Sequence, residues 1–172
     1  RRRGPRARPR GGGSGYEALL HEGFWCPPRL RGRDAGVVEE TNDWYFAMLR
    51  DSHRNEFFER ALRGVVEGRR VVDVGAGCGL LSLLAARLGA SSVLAIEASR
   101  DMAALARLNA ERNGLADRVR VLCARSAEVE LPESDRADVL VSETLGTLLL
   151  GEGALSHLAD AACRLAKPGA PV

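Results

Sequence analysis

The sequence predicts an α/β fold in which a doubly wound, mostly parallel sheet carries helices on both faces. Three observations predict it. Short β-branched runs alternate with amphipathic helical segments, the first run ends in a glycine-rich turn, and the second ends in an acidic residue. Parallel strands joined by right-handed helical crossovers account for this succession. We expect N-terminal helices before the first strand and a sheet that is truncated at its C-terminal side.

The predicted segments follow from hydrophobic periodicity. Capping oxygens near Thr41 precede a first helix, and apolar residues at helical spacing predict a second helix from about Asn55 that ends at Gly68. The remaining segments, in chain order, are strand 71–74, helix 80–88, strand 93–97, helix 101–113, strand 119–122, strand 139–142 and helix 152–165.

Composition divides the chain into three regions. Residues 1–15 are rich in arginine, glycine and proline and nearly free of hydrophobic side chains, which predicts a disordered arm. Residues 16–40 lack a regular pattern and are expected to form an irregular lead-in. Residues 41–172 hold the periodic segments and are expected to form one incomplete domain of a longer protein. The arm is strongly basic, but we favour a solvated segment over a nucleic-acid ligand and assign no nucleic-acid binding.

The cysteines and histidines indicate no metal site. The four cysteines lie tens of residues apart without a C-x-x-C pair, and the three histidines are equally scattered. This spacing argues against a zinc site or a disulfide framework and favours a reduced compartment, in the cytoplasm, the nucleus or both. No apolar run approaches the ~20 residues that a membrane span needs.

A glycine-rich turn, D-V-G-A-G-C-G over residues 73–79, joins the first strand to its helix. Gly75 and Gly77 allow a ligand to lie against the backbone, beside the free amides of the helix N-terminus. A dinucleotide fingerprint needs a further glycine at position 80, where this chain has Leu80. A plain tight turn remains the alternative for this motif taken alone.

Two acidic residues limit the kinds of ligand that the glycine turn could bind. Glu97 ends the second strand, where a carboxylate can accept hydrogen bonds from both hydroxyls of a ribose, although a surface charge is the alternative. Asp73 ends the first strand and can hold an ammonium group. The turn lacks the lysine of a phosphate-binding loop. A ligand with a ribose and an amino-acid tail but no phosphates is S-adenosylmethionine.

Two glutamates bracket an otherwise uncharged loop after the fourth strand. Glu143 and Glu152 are costly to bury without a cation, and a pair so placed suits a planar guanidinium. The alternative is that Glu152 only caps the following helix.

At this point the residues resemble the protein arginine N-methyltransferases over about residues 43–169. The motifs that carry the resemblance are M-L-R-D with Arg54, V-D-V-G-A-G-C-G-L-L-S, A-I-E at residues 95–97, and the Glu143–Glu152 loop. The W-Y-F string before Met48 and G-E-G in the loop look most like the branch of the family's seventh and ninth members. Gly146 stands where the seventh member has aspartate, so the degree of methylation stays open.

The resemblance implies a function and a role for each matching residue. The chain is then the cofactor-binding part of an enzyme that transfers a methyl group from S-adenosylmethionine to arginine side chains of proteins, such as Arg-Gly-Gly segments or histone tails, and the full-length protein is a candidate dimer. The implied cofactor contacts are Arg54 on the carboxylate, Met48 near the sulfonium, Gly75 and Gly77 beside the amino-acid part, and Glu97 on the ribose. Glu143 and Glu152 bind the substrate guanidinium. Many relatives have glutamate where Ala127 stands, so Ser126 is the expected base contact.

Two other functions remain open on the sequence alone. One is a cofactor-binding protein without turnover, and the other is a small-molecule methyltransferase that shares only the nucleoside half of the site.

Overall fold

The computed structural model describes residues 43–144 and 154–172. The predicted arm, the lead-in and the loop with Glu152 lie outside these residues, so the three predicted regions stay a prediction. The helices are α1 Asp43–Arg50, α2 Ser52–Leu62, α3 Leu80–Arg87, α4 Arg100–Arg112 and α5 Ala154–Leu165. The strands are β1 Arg70–Val74, β2 Ser92–Glu97, β3 Val119–Cys123 and β4 Val139–Ser142, and short 3₁₀ helices span Ser126–Glu128 and Glu133–Asp135.

The strands form a parallel sheet in the order β3-β2-β1-β4. In its register Val74, at the end of β1, lies between Ile96 of β2 and Ser142 of β4. The carboxyl ends of the four strands therefore meet at one edge. The predicted doubly wound α/β class is confirmed, and the chain reverses its winding direction between β1 and β4, where such sheets bind ligands.

Alternate residues of each strand pack on opposite faces of the sheet. Val71 belongs to a core cluster with Leu62 of α2 and Leu81 of α3, whereas Val72 belongs to a second cluster with Leu165 of α5. Each of these five side chains is at most 5% exposed. Because both faces are covered, β2 and β4 carry hydrophobic residues at successive positions, as expected for a parallel sheet.

The bounds predicted for α2 were wrong at both ends. The helix begins at Ser52 because the Asp51 side chain caps it, accepting a hydrogen bond from the Arg54 amide at 3.0 Å. It ends at Leu62, since Gly64 adopts φ +75° and turns the chain. Val66 is fully buried although it is no longer helical, so the apolar spacing continues past the true end of the helix.

After α5 the chain returns beside β4. The Lys167 amide donates to the Ala137 carbonyl at 2.9 Å, and the Leu140 amide donates to the Pro171 carbonyl at 3.0 Å. These contacts satisfy backbone groups on the outer side of β4. Across the two described ranges, the helices are all too short or too polar to cross a membrane.

Candidate functional site at the carboxyl edge of the sheet

Two neighbouring cavities open at the carboxyl edge of the sheet. The larger has a volume of about 340 Å³ and the smaller about 60 Å³, and Gly75 lines both. The predicted residues Glu97 and Ser126 line the larger cavity, while Met48, Arg54, Asp73, Gly77 and Glu143 line the smaller. Apart from Glu152, which lies outside the described residues, the predicted site residues are therefore brought together around two cavities that share Gly75.

The glycine turn needs glycine because of close neighbours as well as backbone conformation. Gly75 and Gly77 have φ values of +73° and +55°, which other residues rarely adopt. A Cβ at Gly77 would lie 2.7 Å from the Tyr45 hydroxyl, and one at Gly75 would lie 2.5 Å from Thr144 Cγ2. Side chains from α1 and from the end of β4 thus approach the space that the glycines leave.

Two side chains fix the turn from opposite sides through Cys78. Its amide donates to the Tyr45 hydroxyl at 2.7 Å, and its carbonyl accepts from Asn109 Nδ2 of α4 at 2.9 Å. Burial, with the nearby Cys78 thiol, raises the pKa of Tyr45 above its usual range, so its hydroxyl stays protonated. The turn is held by neutral hydrogen bonds between α1 and α4.

Glu97 links the glycine turn to the end of β2. Its carboxylate accepts from the Gly77 amide at 2.8 Å and from the Ser99 amide at 2.7 Å, one on each oxygen. A carboxylate oxygen has two lone pairs, so each can accept one further hydrogen bond from a ligand in the larger cavity. The carboxylate both shapes the turn and faces the space beside it.

Asp73 is a fully buried carboxyl group with one satisfied oxygen. Oδ2 accepts from the Ser82 hydroxyl at 2.6 Å, while Oδ1 is buried without a hydrogen-bond partner. Burial raises the pKa of Asp73 to about 6, although the Ser82 hydrogen bond opposes the rise. An unpaired buried oxygen beside the smaller cavity suits a cationic or hydrogen-bond-donating ligand group.

We predict that Asp73 makes the protein less stable as the pH rises from about 4 to about 6. Its pKa is higher in the folded state, so the native chain binds more protons than the unfolded chain in that window, and stability falls with rising pH. The rise from 3.8 to about 6 corresponds to about 3 kcal/mol. Urea unfolding of Asp73→Asn should therefore show a stability relative to wild type that increases by about 3 kcal/mol between pH 4 and pH 7.

The asparagine amide can change the free energy of unfolding by an amount that is the same at every pH. The change in the stability difference between pH 4 and pH 7 therefore reports only the titration of Asp73. Asp117→Asn removes an exposed carboxyl group and serves as the control for loss of charge. A difference between Asp73→Asn and wild type that does not change with pH would contradict the prediction.

Arg54 and Glu143 form an ion pair across the smaller cavity. Arg54 Nη2 donates to Glu143 Oε2 at 2.7 Å, and the two side chains are 17% and 24% exposed. Arg54 Nη1 donates to Asn55 Oδ1 at 3.2 Å, and the guanidinium lies 5.1 Å from the centre of the Phe58 ring. The sequence assigned these residues to different ligand groups, and in the structure they bind each other. Glu143 thus holds a guanidinium that its own chain supplies.

Several residues of the site were missed by the sequence reasoning. Thr144 and His157 line the larger cavity, and Tyr45 lines the smaller one. Asn109 of α4 binds the glycine turn and has the buried residues Ala106 and Ala110 close to it in the sequence. A polar residue among buried alanines could have been recognised in the sequence as a candidate for a specific contact. His157 had no signal, because only the packing of α5 brings it to the cavity.

A methyltransferase family model, curated methyltransferases and a solved methyltransferase structure all match this chain. Residues 56–172 match the family model described as ribosomal protein L11 methyltransferase (PrmA). Similar curated proteins include a probable histone-arginine methyltransferase CARM1 of Oryza sativa, 44% identical over 71% of this chain, and protein arginine N-methyltransferase 7 of Anopheles gambiae, 44% identical over 63%. A solved Trypanosoma brucei PRMT1 enzyme-prozyme complex with AdoHcy aligns with a TM-score of 0.70, 29% identity and 77% coverage of this chain.

The matches cover only part of each relative. The chain spans 23% of the rice protein, 17% of the mosquito protein and 42% of the trypanosome chain. Identity to the two curated relatives is the same, so it does not distinguish the branch of the seventh and ninth members from the others. The match over residues 56–172 shows that the chain belongs to the methyltransferase family of the PrmA model, and the curated relatives to which it is similar are protein arginine N-methyltransferases.

Proposed function

We propose that this chain binds S-adenosylmethionine and carries the cofactor half of an enzyme that methylates arginine side chains of proteins. The observation that carries the proposal is the Arg54–Glu143 pair. A partly buried carboxylate next to the glycine turn already accepts a guanidinium. The acceptor group proposed for the reaction is the same chemical group.

The residues at the sheet edge fit the cofactor. A cavity of about 340 Å³ is large enough for a nucleoside, and the Glu97 carboxylate that lines it has lone pairs for ribose hydroxyls. Asp73 Oδ1, buried and unpaired, suits the ammonium group of the amino-acid part. Gly75 lines both cavities, so a ligand that occupied both would lie against this glycine. When bound, S-adenosylmethionine supplies an electrophilic methyl group.

Arg54 contacts one oxygen of Glu143, Oε2, and the other oxygen, with Glu152, would bind and orient the acceptor guanidinium. A protonated guanidinium is a poor nucleophile because its charge is delocalised over three nitrogens. Two carboxylates draw the positive charge towards the nitrogens that they bind, which leaves electron density on the remaining nitrogen. They also fix the direction in which that nitrogen points. The N–C bond would form as the bond from sulfur to the methyl carbon breaks, so that S-adenosylhomocysteine leaves and the methylated guanidinium releases one proton to solvent.

Arg54 would hold the carboxylate of the cofactor, and Met48 would pack beside the sulfonium. Both line the smaller cavity, which agrees with these roles. Ser126, and now His157 on the opposite wall, are the candidates for the base contact. The proposed substrates are Arg-Gly-Gly segments and histone tails, and the rice relative is named as a histone-arginine methyltransferase. We also propose that the full-length protein forms an oligomer and is located in the cytoplasm or the nucleus.

The direct test measures transfer of labelled methyl groups by the natively expressed protein. We expect an Arg-Gly-Gly peptide to be methylated about a hundredfold faster or more than the same peptide with lysine, because a site built to bind a forked donor rejects a group without it. Residues 10–12 are themselves Arg-Gly-Gly, so Arg10→Lys controls for methylation of the chain itself.

Calorimetric titration with S-adenosylhomocysteine distinguishes the alternatives. Binding at one site without transfer to any acceptor would favour the cofactor-binding protein without turnover. Transfer to small amines but not to peptides would favour the small-molecule methyltransferase. A lack of binding would overturn the cofactor assignment.

A further inference from the structure

Helix α5 forms one wall of the larger cavity, and the turn 126–129, with Arg125 before it, forms the facing wall. His157 and Leu158 contribute from the helix, and Ser126 with Ala127 from the turn. The turn is short and 3₁₀-helical, and its hydrogen bonds to neighbouring residues do not fix its distance from α5.

Arg164 connects the two walls. It lies seven residues after His157, hence two turns along the same face of α5. Its Nη2 donates to the Ser126 carbonyl at 2.9 Å, and its Nη1 donates to the Val129 carbonyl at 2.5 Å. These carbonyls lie at the two ends of the 3₁₀ turn, so one guanidinium holds the whole turn.

Asp160 fixes the orientation of this guanidinium. It lies one turn before Arg164 on α5, and Arg164 Nε donates to Asp160 Oδ1 at 2.8 Å while Nη2 contacts Oδ2. The Arg164 side chain is only 21% exposed although it carries a charge. A planar fork held on one edge by a carboxylate presents its other donors in a fixed direction. Arg164 does not itself line the cavity.

We propose that Arg164 is a positioning residue for recognition of the nucleoside base: it sets the separation between α5 and the turn 126–129, and thereby the width of the larger cavity. The inference rests on the proposed cofactor site. The base edge would be read by backbone and side-chain groups of residues 125–127, whose location depends on the two carbonyl contacts. Loss of the Arg164 guanidinium should therefore weaken the discrimination between nucleoside bases. This effect should be separate from any loss of folding stability.

The test compares S-adenosylhomocysteine with S-inosylhomocysteine, which differ only in the base. For Arg164→Met we expect affinity for S-adenosylhomocysteine to fall about tenfold or more, and the preference for adenine over hypoxanthine to shrink towards none. Arg164→Lys should recover part of both, since an ammonium group reaches one carbonyl at a time. Calorimetry gives the affinities, and thermal unfolding gives the midpoint of each variant.

Lys167→Met is the matched control. Lys167 lies just beyond α5 and pairs with Asp138 at 2.5 Å, without contact to the turn, so its loss should lower stability at most and leave the base preference intact. Wild-type affinity and preference in Arg164→Met, with a lower midpoint alone, would overturn the proposal. If that variant does not fold, full affinity and preference in Arg164→Lys would overturn it. Failure of the wild-type chain to bind S-adenosylhomocysteine would overturn the cofactor site and this role together.

Discussion

Glu143→Gln is expected to lower the rate of arginine methylation by roughly thirty- to several-thousand-fold. The substitution keeps the shape of the side chain and removes its charge, and loss of one partner of a buried charge pair costs about 2–5 kcal/mol. Affinity for S-adenosylhomocysteine should hardly change, because Arg54 is also held by Asn55 and by the Phe58 ring. Glu152→Gln is expected to have an effect of similar size on rate.

The measurement is kcat/KM for an Arg-Gly-Gly peptide, together with calorimetric affinity for S-adenosylhomocysteine. Glu59→Gln is the matched control, since Glu59 also pairs with an arginine, Arg63, but on the exposed surface of α2. If both loop variants keep wild-type rates, or if all three variants lose activity equally, the carboxylates do not bind the acceptor.

The fold was predictable because its signals are local. Strands that are covered on both faces leave continuous apolar runs, and the helices between them leave apolar stripes, so each β-α unit is read from about twenty adjacent residues. The handedness of the crossovers then fixes the face of the sheet on which each connecting helix packs. The strand order β3-β2-β1-β4 was not predicted. The observed bounds of the strands differ from the predicted bounds by one residue or none.

The end of α2 was not predicted because two physical causes give the same apolar spacing. Val65 and Val66 continue the apolar spacing of the helix. They pack in the core from the turn between α2 and β1, however, and not from further helical turns. Gly64 was the better signal for the end, since it follows the last helical residue, Leu62, by two positions and turns the chain with a positive φ.

The site was predictable in its parts but not in its internal pairing. Arg54 and Glu143 are separated by 89 residues, and each was assigned a charged partner from its own motif. That each is the partner of the other depends on how α2 packs against the end of β4, which neither motif records. Tyr45 and His157 were missed for the same reason, because their roles arise from the packing of α1 and α5 and not from their neighbours in sequence.

Glu97→Ala is expected to abolish measurable binding of S-adenosylhomocysteine. The carboxylate holds the Gly77 and Ser99 amides and is the proposed acceptor for both ribose hydroxyls. Two lost hydrogen bonds to a charged group cost about 1.5–3 kcal/mol each, which corresponds to roughly a hundred- to ten-thousand-fold in affinity. Glu111→Ala is the control, because Glu111 is an exposed carboxylate near the end of α4 that lines neither cavity.

Glu97→Gln separates the ribose contact from the shaping of the turn. Glutamine keeps one oxygen for the Gly77 amide, and we expect it to bind S-adenosylhomocysteine weakly but measurably. The 2′-deoxy form of the ligand should bind wild type about tenfold or more less tightly than the parent, whereas Glu97→Gln should distinguish the two forms much less. An undiminished preference of Glu97→Gln for the parent ligand would mean that Glu97 only shapes the glycine turn and that another group binds the ribose.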